Sequence, residues 1–165
     1  MSSIHCVVKA PSLCAPLELE DFVCMVRASG EVTLDGLPER VRRAHSLAFL
    51  RSENCLIGVA GLKVPSENHR SEVALGSGAT LPASNFQLEL GWVFVIPSAR
   101  GGKSLALCAP LIEAALGHGI YATSRSNNQP MHSTLAKLGF TRAGKSWPSG
   151  LNPEDLWLFI RHAAV

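Results

Sequence analysis

A chain of 165 residues is about one domain long. Fifteen Lys and Arg against thirteen Asp and Glu leave a formal net charge of +2, which excludes a binder drawn to nucleic acid or an anionic membrane by bulk charge. With 47% apolar and 17% charged residues, the chain can bury a core and is not intrinsically disordered.

No run approaches the ~18 consecutive apolar residues that span a bilayer. Met1 to Pro16 lacks the charged region followed by an apolar run of a secretory signal. Cys6, Cys14, Cys24, Cys55 and Cys108 have no C-x-x-C spacing. That argues against a disulfide framework or a zinc site and for a reducing compartment. The expectation is a cytoplasmic protein with no metal, no nucleic-acid partner and no membrane partner.

In chain order, Ile4 to Val8 is short and β-branched and predicts a strand. Leu17 to Ala28 places Leu19, Phe22, Val23 and Val26 at helical spacing, and Gly30 stops the helix. Leu37 to Leu47 predicts a second helix with Pro38 in its first turn. Its Arg40, Arg42 and Arg43 read as a solvated face. Ser46 to Glu53 and Cys55 to Val64 predict two strands about a tight turn at Glu53-Asn54. Pro65 to Gln87 is polar and reads as a long loop, a class of segment that often carries function.

Leu88 to Ile96 is the strongest strand, apolar on both parities and so buried on both faces, and Pro97 ends it. Gly101 to Leu116 predicts a helix with Leu105, Cys108, Leu111, Ile112 and Ala115 on one face, bent at Pro110, which has no N–H for the Ala106 carbonyl. Ile120 to Thr123 is a short strand. Asn128 caps a helix carrying Met131, Leu135 and Leu138, and Gly139 stops it. Phe140 to Trp147 and Leu156 to Arg161 close the chain as strands. The order is mixed α/β or α+β in a single domain, 1–165.

The densest chemical signal is the run Pro97-Ser98-Ala99-Arg100-Gly101-Gly102-Lys103-Ser104 between a strand and a helix. Free N–H groups and the helix dipole favour an anion there, and glycines let the backbone approach it. Arg100 and Lys103 add charge. A Walker A loop fails because Pro97 stands where its first glycine belongs, and no G-x-G-x-x-G is present. The remaining alternatives are an anion site and a glycine turn with no ligand.

With LELGWVFVIPSARGGKS followed by SRSNNQPMHSTLAKLGF, the sequence resembles the GNAT superfamily of acyl-CoA-dependent N-acetyltransferases. The match runs from Leu88 to Phe140, and the flanking elements fit the family order. The turn motif is degenerate, so its register is open by one residue. The resemblance implies a mostly antiparallel sheet of about six to seven strands, about four helices, and a V-shaped cleft between the central strand and the next. It implies acetyl-CoA as co-substrate, with its pyrophosphate on Arg100, Gly101, Gly102, Lys103, Ser104 and Leu105. The pantetheine arm would pair with Val93, Phe94 and Val95 as an added strand, and Asn128 would meet the cofactor.

Acetyl transfer needs a polarised thioester carbonyl, for which the Val95 N–H is the candidate, and a base for the amine. Glu89 is the candidate base, because a carboxylate in an apolar strand is costly unless paired or functional. Strand alternation would put Glu89 on the face of Val93 and Val95 unless a bulge intervenes. The position of the family's acidic tyrosine holds Leu135; Tyr121 reads as packing, and His132 or Ser133 could substitute. Cys108 reads as a small buried hydrophobe rather than an acyl carrier. The implied function is direct acetyl transfer in a ternary complex to a small-molecule or peptide amine, and a homodimer is compatible with it. A CoA-binding regulatory or sensor module without catalysis is the rival reading.

Overall fold

In the computed structural model, which describes residues 3–165, the chain runs β1 (Ile4–Lys9), α1 (Pro16–Ser29), α2 (Leu37–Arg42), β2 (Ser46–Ser52), β3 (Cys55–Lys63), α3 (Glu67–Ser77), β4 (Leu88–Val95), α4 (Lys103–Ala114), β5 (Ile120–Arg125), α5 (Gln129–Lys137), β6 (Thr141–Pro148) and β7 (Asp155–Arg161). Single 3-10 turns stand at Pro11–Leu13 and Pro97–Ala99. The strands follow one another in the hydrogen-bonding order β1-β2-β3-β4-β5-β7-β6. β4 and β5 pair in parallel; β1 with β2, β2 with β3, β5 with β7 and β6 with β7 are antiparallel. The mixed, mostly antiparallel class is therefore as expected, with five helices rather than about four. The additional helix is α3, inside the segment read as a loop.

Contacts divide the chain into two compact units: Met1–Lys63 with Leu90–Leu116, and Val64–Glu89 with Gly117–Val165. In the first unit the hairpin forms at Glu53-Asn54, where Ser52 faces Cys55 and Glu53 takes φ 55°. α1 has Pro16 at its start, and the Glu18 carboxylate accepts from the Ala15 N–H at 2.9 Å. Gly30 ends it in the left-handed region at φ 70°. Phe22, Val23 and Val26 of α1 pack with Leu37 and Val41 of α2, with Leu47, Phe49 and Val59 of the sheet, and with Trp92. The Phe22 ring meets Phe49 and Trp92 edge-on at 5.6 and 5.8 Å.

α2 ends at Arg42, five residues before the expected Leu47, because pairing with β3 captures the chain: the His45 N–H donates to the Leu62 carbonyl at 2.9 Å. Arg40 departs from a solvated role. Its Nη2 donates to the carbonyls of Thr33 and Asp35, closing the loop between α1 and α2. In α4 the buried stripe is Leu107, Cys108, Leu111 and Ala115, with Leu105 and Ile112 half-buried beside it. The helix continues through Pro110.

β4 departs from regular strand geometry at Trp92, whose φ is 55°. A left-handed residue in a strand breaks the two-residue alternation. The bulge that the expectation for Glu89, Val93 and Val95 allowed for has its counterpart in this left-handed Trp92. The indole lies over Gly61, where a Cβ would come within 2.7 Å of its Cε3 atom.

In the second unit, Ser66 caps α3 by accepting from the His69 N–H at 3.2 Å, and Gly78 closes the helix in the left-handed region. Val73 packs with Leu81, Phe86, Tyr121 and Leu158. The buried guanidinium of Arg70 donates through Nη1 to the Phe86 carbonyl and lies 5.8 Å from the Tyr121 ring. This ties α3 to the chain that leads into β4. The β4–β5 ladder comprises Leu88 opposite Ile120 and Glu89 opposite Tyr121.

Two outcomes follow for stability. Gly61→Ala forces the Trp92 indole to move and should cost about 1–3 kcal/mol, read as a lower denaturation midpoint. Lys9 donates to Glu18 at 2.9 Å, and this bond, with the Ala15 cap, holds the Glu18 carboxyl below its ordinary range. Its stabilisation is complete above the ordinary carboxylate pKa and is lost as pH falls through the lowered one. The stability gap between wild type and Glu18→Gln should therefore shrink on acidification, measured by urea unfolding at a series of pH values.

Candidate active site

The end of β4 is drawn into a turn by its own backbone. The Ile96 N–H donates to the Ile57 carbonyl at 2.9 Å, and the Ala99 N–H returns to Ile96 at 2.9 Å. Gly101 and Gly102 then take φ 125° and 68°, values that a side chain opposes. A Cβ on either would meet nothing within 4 Å, so the turn presents open backbone. α4 begins at Lys103 with no side-chain cap, so its dipole and first-turn N–H groups, those of Lys103, Ser104 and Leu105, form the positive end. That arrangement suits a phosphate.

The two cations of the turn lie against their own backbone. Arg100 Nε donates to the Val95 carbonyl at 3.1 Å, with its guanidinium 6.0 Å from the Phe94 ring. Lys103 Nζ donates to the Gly101 carbonyl at 3.2 Å. Val95 is buried, and Val93 and Phe94 are half-buried. The turn, Val93, Phe94 and Val95 all belong to the first unit.

The second unit holds the titratable cluster. The side chain of Glu89 is 3% exposed, and its Oε2 lies 2.7 Å from Nε2 of His69. A buried carboxylate needs such a partner, since it is acceptor-only when ionised. Tyr121 stands opposite Glu89 in the ladder, close enough to feel its charge. Burial, and then the Glu89 carboxylate, push the Tyr121 phenol well above its ordinary range. A phenol held that firmly protonated belongs to the core, where the sequence put it.

Asn128 caps α5 as expected, its Oδ1 accepting from the Met131 N–H at 3.3 Å. His132 is held by packing: its Nε2 donates to the Arg125 carbonyl at 2.9 Å, and its ring stacks on Trp157 at 4.8 Å. Arg142 covers the Trp157 ring at 3.5 Å. Leu135 is fully buried, so the position of the absent tyrosine is a core position. Among the described residues no group of three His, Cys, Asp or Glu could hold a metal, and no helix is long and apolar enough to cross a membrane.

No protein-family model and no curated protein matches the sequence. Solved structures do. An acyl-CoA N-acyltransferase from Pseudomonas aeruginosa superposes with a TM-score of 0.70 at 14% identity, covering 96% of this chain and 99% of that one. The chain has the GNAT fold. NAA60 from Arabidopsis thaliana, solved in complex with acetyl-CoA, matches at 0.67 and 15% identity over 97% of this chain and 98% of its own. A ribosomal-protein-alanine N-acetyltransferase from Brucella melitensis matches at 0.66 and 20% identity over 94% and 99%.

On this GNAT fold two members of the polar cluster at Glu89 were not visible in the sequence, His69 and Arg70. The stretch Ser66-Glu67-Asn68-His69-Arg70 does hold a helix signature, an N-cap serine with an acid in the first turn. Only Val73 supplies an apolar buried residue on that helix, alongside Arg70 and Ser77, so no apolar stripe marked it.

All five cysteines are free thiols. Burial, reinforced by Cys6 nearby, pushes the Cys108 thiol up to about 12. Native protein at pH 8 should therefore alkylate at the exposed Cys24 and Cys55 and leave Cys108 unmodified until it unfolds, checked by peptide mass spectrometry.

Proposed function

We propose that this chain is an N-acetyltransferase that moves the acetyl group of acetyl-CoA to an amine, with residues 1–165 acting as one catalytic domain. The observation that carries it is the open Gly101-Gly102 turn before the uncapped N-terminus of α4, on a fold shared with acyl-CoA-dependent enzymes. The turn fits an anionic cofactor: it offers open backbone, oriented N–H groups and two nearby cations.

Gly101, Gly102, Lys103, Ser104 and Leu105 would hold the pyrophosphate through backbone N–H groups, with Arg100 and Lys103 supplying charge. Val93, Phe94 and Val95 would offer main-chain groups to the pantetheine arm. When bound, acetyl-CoA would supply the acyl group: a C–N bond forms at the thioester carbon, the C–S bond breaks, and the departing sulfur takes the second proton of the attacking nitrogen to leave as the thiol. The Val95 N–H would polarise the thioester carbonyl, Asn128 would meet the cofactor, and Glu89 would be the anionic end of the path that removes the amine proton. His132 would serve by holding α5 against the strands. Burial and the raised thiol pKa of Cys108 support direct transfer in a ternary complex over an acyl-cysteine route.

The test is thiol release from acetyl-CoA with a panel of amines: an aliphatic diamine, an aryl ethylamine, an amino-acid amide and a peptide with a free amino terminus. Acceptor-dependent release with intersecting double-reciprocal plots is expected. Binding of acetyl-CoA without release would mark a CoA sensor instead. Gly102→Asp should weaken acetyl-CoA binding about tenfold or more, on the order of 1.4 kcal/mol, by calorimetry. Gly102→Asn imposes similar backbone strain without the charge and should bind more tightly than Gly102→Asp.

A further inference from the structure

We propose that His69 is the catalytic proton acceptor of the transfer reaction and that Glu89 is its positioning residue. This rests on the acetyltransferase reading and assigns the atom that performs its proton step. The two side chains differ sharply in access: His69 is 42% exposed, whereas Glu89 is 3% exposed and has Nε2 of His69 2.7 Å from its Oε2. Of the two, the imidazole is the group that solvent and solutes can reach.

The hydrogen bond sets the tautomer. Ionised Glu89 can only accept, so Nε2 of His69 carries the hydrogen and donates it. The lone pair of the neutral ring is then on Nδ1, which has no partner among the described residues. This is the base-and-orienter arrangement in which a carboxylate fixes the ring and stabilises the imidazolium. In the step, the acceptor ammonium gives one proton to Nδ1 and keeps the electron pair of that N–H bond as its nucleophilic lone pair. The imidazolium, charge-balanced by Glu89, returns the proton to water through its exposed edge.

The mounting of His69 is rigid. Its backbone N–H is held by Ser66 Oγ at 3.2 Å in the first turn of α3. The next residue, Arg70, anchors that turn to the Phe86 carbonyl three residues before Glu89. Tyr121 of β5 feels the Glu89 charge and that of Arg70, and Arg70, next to His69 in α3, lies 4.0 Å from the Glu67 carboxylate. Tyr121 stays protonated, so it does not compete for the proton.

The experiment uses the full chain and the amine panel. His69→Gln keeps a donor for Glu89 and removes the base; His69→Ala removes both. Each should lower turnover roughly 10²-fold or more with acetyl-CoA affinity unchanged, and each should abolish the acidic limb of the pH–rate profile. Glu89→Gln should lose a similar factor, and the double variant should be no worse than the singles, as for groups that act as a unit. Free imidazole should restore turnover to His69→Ala and not to Glu89→Gln. If wild type turns over and His69→Gln keeps its rate and pH profile, the proposal is overturned while the acetyltransferase reading stands. A loss that imidazole does not rescue, with an unmoved pH profile, makes His69 structural and also overturns it. No acceptor-dependent thiol release from wild type would overturn both.

Discussion

A carboxylate removed from water is the constraint around which the second unit is organised. Glu89 sits in a strand between Leu88 and Leu90, both buried, and an ionised carboxylate there costs several kcal/mol unless it is met by donors. One donor, His69, comes from α3, a helix whose buried face holds Arg70 and Ser77 beside Val73. Its position is secured by polar means: the Ser66 cap, the Arg70 contact with Phe86, and the stacking of Arg70 over Tyr121. Val73 adds the apolar contact. The charge in β4 and the helix beside it are thus mutually dependent.

β4 has the buried Glu89 near its start and a glycine turn beyond its end, and its backbone is irregular at Trp92. Trp92 takes a left-handed φ of 55°, and Trp92 and Phe94, two residues apart, both pack into the apolar cluster around Phe22. Beyond the strand, two glycines in the left-handed half of backbone space turn the chain into α4 with no side chain over the amides. Glycine adopts that region freely, whereas Trp92, which carries a side chain, is held there against its preference. Such departures mark places where local strain is overcome by surrounding structure, which is common at functional sites.

Most of the fold could be read from the residues because its periodicities are strong. The hairpin at Glu53-Asn54, the Gly30 stop, the Asn128 cap and the glycine turn before α4 each rest on a local rule that the tertiary structure does not override. What escaped reading was decided at long range. α3 buries Arg70 and Ser77 beside Val73, so its inner face looks polar in sequence. The Trp92 bulge leaves no local trace, since an indole in a strand is ordinary until its φ is known. The α2 boundary shifted because strand pairing competes for the same residues. Of the candidate site, the turn and Glu89 were legible. His69 was not, because only the folded chain brings it to a carboxylate twenty positions away.

The buried guanidinium of Arg70 also has a consequence for sequence drift. Its planar fork reaches a carbonyl and covers an aromatic face at once, which a lysine ammonium cannot do. The fold around it tolerates wide divergence, as the 14%, 15% and 20% identities of the three structures above show. Positions 66, 69, 70 and 89 are bound to one another by capping, hydrogen bonding and charge. They should therefore change together or not at all. A serine, then a histidine and arginine three and four places on, and an acidic residue in the following strand form a spaced signature. Descendants that kept the pair could be traced by it where overall similarity has faded.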